Sequence, residues 1–327
     1  YLTITPDAPA IACASKLCAS DVCNRPPRYL RLVSAFANHT VILPDVELTC
    51  LTSPSIDDHD RPLVICIHGF PDSAYSWRHL MPALEDAGFR VAAPFIRGYA
   101  PSTVSGSGAY QTGASALDVC ALHEHFGGDH RAVLIGHDWG APIVYGAASI
   151  EPTRWAKVIA MAVPPGGSMG LAFVTNTDQL KRSWYMFFFQ NGLADMVVPA
   201  NDMAFIDMIW EDWSPGYDAT DDLLHVKDAL REPEHMAAAL GYYRAALGDA
   251  FRDPAHIEAQ NATQAVPEQP TLYLHGVNDG CIGPEVAESA RTMVGDHVEI
   301  RLIDGVGHFL HLEAPDVINP QILEFLS

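Results

Sequence analysis

Asp138 is the residue on which chemistry can be built. It stands in Val133-Leu134-Ile135-Gly136-His137-Asp138-Trp139-Gly140, an apolar run that breaks between two glycines and continues into an Ala- and Val-rich segment through Ala148. A buried strand turning sharply into a helix, with the middle residue raised between glycines, is a nucleophile elbow. Serine is the usual occupant; aspartate implies a carboxylate that attacks carbon and forms an ester. Gly136 and Gly140 would let neighbouring backbones approach while the turn holds Asp138 in a strained conformation. Taken alone, Asp138 also fits an ordinary N-cap of the following helix.

Three further segments supply what an ester-forming carboxylate needs. Leu63 to Ile67 runs into His68-Gly69-Phe70-Pro71-Asp72, where the backbone N–H just after the glycine can stabilise an oxyanion. Phe70 carries that N–H, and Trp139, directly after the nucleophile, carries its expected partner. His68 reads as structural, hydrogen-bonded within the turn. Downstream, Thr271 to His275 precedes Gly276-Val277-Asn278-Asp279-Gly280, and Glu299 to Ile303 precedes Gly305-Val306-Gly307-His308-Phe309. Asp279 and His308 thus fall just past strand C-termini, the edge where open α/β sheets gather their sites. They are the acid and base candidates, in the chain order nucleophile, acid, histidine. His311 competes as base, but His308 follows the glycine turn directly. His123, His125 and His130 do not assemble a metal site by their spacing.

Elements must hold these residues. Apolar runs at Leu63 to Ile67, Val91 to Ala93, Val133 to Ile135, Val158 to Val163, Leu272 to Leu274 and Val298 to Ile303 alternate with helix-sized segments. That rhythm predicts parallel strands buried on both faces. Between about Gly166 and Val266 it gives way to a helical, aromatic pattern that includes Trp184, Phe187, Phe188, Phe189, Phe205, Trp210 and Trp213. The expected class is α/β: a mostly parallel central sheet flanked by helices, with an inserted helical cap. Its core spans 28–165 and 267–327, and its cap 166–266. Residues 1–27, rich in Ala and Pro and ending in Pro26-Pro27, read as an N-terminal arm.

Composition narrows the partners. Hydrophobic residues make up 49% and charged ones 18%, enough apolar side chain for a substantial core. Forty acidic against nineteen basic residues give a net charge of −21, which repels nucleic acid and anionic membranes. No run approaches the roughly 18 to 20 apolar residues of a spanning helix, so no membrane insertion is expected. The expected compartment is the cytoplasm; because the chain starts at Tyr1, a removed export signal stays open. Seven scattered cysteines do not form a secreted disulfide framework. Cys13, Cys18 and Cys23 lack a fourth nearby ligand and read as small semi-polar residues, not a metal site.

From Arg28 to the C-terminus the sequence resembles the α/β-hydrolase-fold epoxide hydrolases. His68-Gly69-Phe70-Pro71, Gly136-His137-Asp138-Trp139-Gly140 and Gly307-His308-Phe309 carry the resemblance, and haloalkane dehalogenases belong to the same group. The resemblance implies that Asp138 attacks carbon, His308 activates water and Asp279 orients the imidazole. No acid follows Val163-Pro164-Pro165, where some relatives carry it. Tyr185, five residues before Gln190, and Tyr243, ahead of Arg244, are similar to the two cap tyrosines that hold and protonate the epoxide oxygen in that family. Tyr243 also lies on the stripe Met236, Leu240, Tyr243, Leu247 of a helix beginning near Pro233. The plainer alternative makes both tyrosines core residues.

Dehalogenases usually carry Asn where Phe70 stands, so dehalogenation with the same triad is the second reading, kept open by Trp139 as a halide donor. A non-catalytic ligand-binding protein of the same fold is the third. The segment from Ala93 to Ala100 departs from the family at Phe95 and Ala100, where Asp and Gly are common. The implied reaction takes a small apolar epoxide and water, needs no metal or organic cofactor, and leaves a homodimer open.

Overall fold

The structure is a computed structural model that describes residues 36–327. The arm over 1–27, with Cys13, Cys18 and Cys23, lies outside the described residues. Eight strands form one sheet: β1 (Ala37–Ile42), β2 (Glu47–Thr52), β3 (Leu63–Ile67), β4 (Arg90–Pro94), β5 (Ala132–His137), β6 (Trp155–Met161), β7 (Thr271–Gly276) and β8 (Val298–Ile303). Their order is β1-β2-β4-β3-β5-β6-β7-β8. β2 is antiparallel to both of its neighbours, β1 and β4; all other pairs are parallel.

The six apolar runs became β3 to β8, the central ones covered on both faces and the edge strand β8 alternating buried and more exposed residues. Every residue of β3, β5 and β7 is buried, and burying one Val, Leu or Ile side chain stabilises the fold by about 1.5–3 kcal/mol. β6 ends two residues earlier than the apolar run predicts. Ala162 takes a positive φ of 69°, and the Val163 N–H turns back to the Met161 carbonyl at 2.9 Å, so the strand cannot continue. β1 and β2 were not predicted. In β1 only Val41 is fully buried, so an edge strand of mixed residues carries little periodic signal.

The strand order explains where a site can form. From β3 the chain first steps outward to β4, then returns past β3 to β5 and continues the other way. Right-handed crossovers with that reversal put helices on opposite faces and leave a crevice at the C-terminal ends of β3 and β5. Thr112–His125 packs with Gly140–Ile150, and Leu80–Asp86 with Pro315–Leu326, as such a layering requires. The His68-Gly69-Phe70 turn follows β3 and Asp138 follows β5, so both face this crevice.

Between β6 and β7 the chain is helical, including Trp184–Phe188, Ala200–Trp213, Thr220–Leu230 and Pro233–Leu247. Pro233 opens the last of these at the position where its missing N–H costs nothing. This layer is fastened to the sheet by specific contacts. Trp210 donates its indole N–H to the Pro71 carbonyl at 2.9 Å and stacks on Phe309 with ring centres 3.6 Å apart. Arg78, from the turn after β3, is paired in a buried contact with Asp222 at 2.5 Å. Among the described residues no helix is long and apolar enough to cross a membrane.

Candidate active site

The elbow owes its shape to three glycines. A Cβ on Gly140 would overlap the Ile67 carbonyl oxygen, one on Gly136 would overlap the Gly140 carbonyl, and one on Gly69 would overlap the Asp138 carboxylate. Strand β5 can therefore turn into its helix only while lying directly against the end of β3. The turn is completed by Asp138 in the left-handed region, φ 52°, a conformation that costs a non-glycine residue on the order of 1–3 kcal/mol. Its carbonyl accepts the Ala141 N–H at 2.9 Å, but its side chain caps no helix. Instead the Phe70 N–H donates to Asp138 Oδ1 at 2.7 Å. This geometry removes the N-cap alternative and leaves Oδ2 free of hydrogen-bond donors.

Behind Asp138 stands a second carboxylate–imidazole pair. His308 Nδ1 bonds Asp279 Oδ2 at 2.9 Å, and Nε2 lies 3.4 Å from Asp138 Oδ2, short of hydrogen-bond geometry. Asp279 Oδ1 accepts the N–H groups of Cys281 at 2.7 Å and Ile282 at 2.9 Å, which fixes its carboxylate toward His308. Burial by itself would raise the Asp279 pKa, but His308 and these donors outweigh it and hold it below the usual value. For His308 burial works the other way, yet Asp279 and then Asp138 overcome it, and the imidazole is pushed up to about 10. His137 locks the arrangement from below: its Nε2–H donates to the His308 carbonyl at 2.9 Å.

His311 is no rival. It is buried and stacked on Trp77, with neither ring nitrogen hydrogen-bonded, and burial, then His137, holds its pKa well below 6.5. His68 is structural: Nδ1 reaches the Gly69 carbonyl at 2.9 Å and Nε2 accepts the Ile96 N–H at 3.1 Å. Among the described residues no hydrogen bond joins the Trp139 N–H to Asp138, so of the two N–H groups expected to receive an oxyanion only that of Phe70 contacts the Asp138 carboxylate.

The two tyrosines arrive from different helices of the insertion. Their rings lie 5.5 Å apart edge-on, and Tyr243 also packs against Phe70 at 5.1 Å and Trp139 at 5.0 Å. Tyr185 Oη contacts Cys281 Sγ at 3.3 Å, whereas Tyr243 Oη is buried without a hydrogen-bond partner. Burial holds both phenols well above the ordinary pKa of 10, helped for Tyr185 by Cys281 and for Tyr243 by Asp138, so both remain O–H donors. Gln190 joins the helices that carry them, donating to the Met186 and Tyr243 carbonyls at 3.0 and 2.9 Å. Of the predicted stripe, Met236, Leu240 and Tyr243 are buried, while Leu247 is 39% exposed and stands at the cavity rim.

A cavity of about 450 Å³ opens in front of Asp138, Trp139, Tyr185, Tyr243 and Cys281. His308, Asp279 and Phe70 are not among its lining residues; they stand behind the nucleophile. Its walls include Val163, Met169, Phe173 and Met186, and also Gln111, Thr112, Arg252, Gln260, Asn261 and Gln264. The lining is thus mixed and not uniformly apolar, because helix Ile257–Ala262 and the start of helix Thr112–His125 bring polar side chains to it. Cys281 was missed altogether. Its one sequence signal is its place two residues past Asp279, in the loop that carries the relay acid.

Comparison with known proteins identifies the fold and the family. The profile of the alpha/beta hydrolase fold family matches residues 62–315. Epoxide hydrolase A of Mycobacterium tuberculosis is 31% identical over 304 residues, covering 81% of this chain and 90% of that protein. The AB hydrolase superfamily protein YfhM of Bacillus subtilis is 29% identical over 272 residues, covering 82% and 91%. The crystal structure of Epoxide Hydrolase A from Mycobacterium thermoresistibile superposes with a TM-score of 0.71 at 26% identity, over 89% of this chain and 98% of that one.

Proposed function

We infer the chemistry of this site from the family to which the chain belongs, the epoxide hydrolases of the α/β-hydrolase fold. The enzyme converts an epoxide and water to a vicinal diol. The route we propose is carried by one observation: a carboxylate with Oδ1 held by the Phe70 N–H and Oδ2 beside His308 faces a cavity crossed by two buried phenols. Asp138 attacks a ring carbon, and the ring oxygen takes a proton from Tyr185 or Tyr243, leaving a hydroxyalkyl ester. His308, oriented by Asp279, then takes a proton from water, which attacks the ester carbonyl. The Phe70 and Trp139 N–H groups receive the tetrahedral oxyanion, whose collapse breaks the ester C–O bond, and the departing alkoxide takes the proton held by His308 to give the diol.

The charge balance supports this order of events. While Asp138 is ionised, two carboxylates favour the imidazolium form of His308. Esterification removes one of them, so the His308 pKa falls, and its proton can pass through solvent to the tyrosinate left by ring opening, restoring the phenol and freeing the imidazole as base. The division into an N-terminal arm (1–27), a core (28–165 and 267–327) and a cap (166–266) is part of the proposal, with the cap contributing the proton donors. So is an epoxide whose reacting end is apolar. Halide displacement has little support: Trp139 Nε1 is an available donor, but at Phe70 the side chain packs on Phe189 and Tyr243 and offers none.

The test is a single turnover in heavy-oxygen water with enzyme in excess. The ester route predicts largely unlabelled diol and a heavier peptide containing Asp138, because the entering oxygen stays on the carboxylate. Labelled diol with an unlabelled peptide would refute it.

A further inference from the structure

We infer that Asp138, Cys281 and His308 form a chelating site for a thiophilic divalent cation, zinc or cadmium, whose binding shuts the enzyme off. Coordination stands on the geometry alone; its consequence for turnover rests on the ester mechanism above. One donor atom from each of the three residues lies within 4.8 Å of the other two, and the carboxylate–imidazole pair is at 3.4 Å. A tetrahedral zinc ion holds such donors at about 2.0–2.3 Å, which sets them roughly 3.3–3.8 Å apart. The carboxylate–imidazole pair already meets that spacing, and a separation of up to 4.8 Å leaves the donors to close by at most about 1.5 Å around the ion. Sulfur, imidazole nitrogen and carboxylate oxygen make a donor set suited to zinc or cadmium, whereas magnesium and calcium take oxygen.

A second feature points to a ligand independently of the thiol. His308 Nε2 is fully buried and has no hydrogen-bond partner, while Nδ1 is tied to Asp279 Oδ2. Metal-binding histidines are oriented by such a carboxylate on the other nitrogen. Asp138 is prepared in the same way, with Oδ1 held by Phe70 and Oδ2 turned toward His308. Asp138 and Cys281 both line the cavity, so an ion enters by the substrate's path and its fourth position faces open space.

Binding involves no redox change. The cation coordinates Asp138 as carboxylate, displaces the thiol proton of Cys281 to solvent, and displaces any proton on His308 Nε2. Tyr185 keeps its contact by donating O–H to the resulting thiolate. The nucleophilic oxygen and the basic nitrogen are then occupied together, so both chemical steps stop.

The decisive measurement needs no epoxide. Cys13, Cys18 and Cys23 are each replaced by Ser in the full chain to remove competing thiols, and cadmium chloride is titrated while thiolate-to-cadmium charge transfer is read in the ultraviolet. One equivalent per chain is expected, and the band should vanish on adding Cys281→Ser or Cys281→Ala, whichever is folded by circular dichroism. In parallel, zinc chloride should inhibit epoxide turnover reversibly on chelation and in competition with substrate. In the Cys281 variant half-inhibition should need about tenfold more zinc or beyond, each rate being normalised to that variant's metal-free rate. A band, or a zinc sensitivity, that survives Cys281 replacement overturns the site. No band in an active enzyme also overturns it, leaving the hydrolase reading intact. A Cys281-dependent band in a protein without epoxide turnover upholds the site and overturns the hydrolase reading.

Discussion

The two halves of the active site are built on opposite principles. On the sheet side three of the four carboxylate oxygens accept hydrogen bonds, Asp138 Oδ1 from the Phe70 N–H and those of Asp279 from two N–H groups and His308, and only Asp138 Oδ2 is left open, beside His308. Apart from the His308 imidazole, the donors are backbone N–H groups held in the turns that follow β3 and β7. On the helical side Tyr185 and Tyr243 are held by ring packing against Phe70, Trp139, Phe189 and Trp213, and the Tyr243 hydroxyl has no partner. A buried charge needs pre-set hydrogen bonds or it neutralises itself. A neutral phenol can wait for the substrate to satisfy it, at a cost of about 1–3 kcal/mol.

The largest expected effect falls on the sheet side. Asp138→Asn keeps the shape and the Phe70 hydrogen bond but removes the nucleophilic charge, so turnover should fall by roughly four to six orders of magnitude. Mass spectrometry must show that the amide has not been hydrolysed back. Full steady-state activity with an intact amide would break the comparison at its root, since the charged oxygen would not be the reacting group.

On the helical side the effects should be smaller and shared. If either phenol can protonate the leaving oxygen, Tyr185→Phe and Tyr243→Phe should each slow alkylation by about tenfold to a hundredfold. The double variant should lose far more than either. Tyr243→Phe should be the worse single change, because Tyr185 is already engaged with Cys281. Stopped-flow alkylation rates decide this, and unchanged rates in the double variant would return both tyrosines to simple packing.

The sheet side should also show in the pH dependence of stability. The folded His308 pKa of about 10 lies above its ordinary value of 6.5. Its contribution is therefore fully present below about 6.5 and disappears as pH rises through about 10. Chemical denaturation across that window should show wild type losing stability relative to His308→Gln. The buried cysteines and tyrosines also titrate at alkaline pH, but they are common to both proteins and cancel in the difference. A constant difference would mean that the two carboxylates do not raise the imidazole pKa.

These contrasts explain which parts were legible in the sequence. Asp138, Asp279 and His308 sit beside glycines at the ends of apolar runs, and glycine constraints and strand endings leave local marks. The positions of Tyr185 and Tyr243 depend on helices packing over a distance, and only resemblance to a family singled them out. Cys281 left no pattern, because its proximity to Tyr185 and His308 comes from the β7 loop folding under the insertion. Edge strand β1 was silent for a different reason: with Val41 its one fully buried residue, it has almost no apolar period to read.

The smallest effect tests how packing alone positions a phenol. Gln190 spans the helices that carry Tyr185 and Tyr243, donating to the Met186 and Tyr243 carbonyls, and touches neither hydroxyl. Gln190→Leu keeps the approximate volume and deletes both bonds, so stability should fall by about 1–3 kcal/mol. If the aromatic contacts around Tyr243 suffice to aim its hydroxyl, alkylation should slow by no more than a few-fold while the melting point drops. A loss comparable to that of Tyr243→Phe would show instead that the helical half relies on fixed hydrogen bonds as the sheet half does, placed one step further from the reacting atoms.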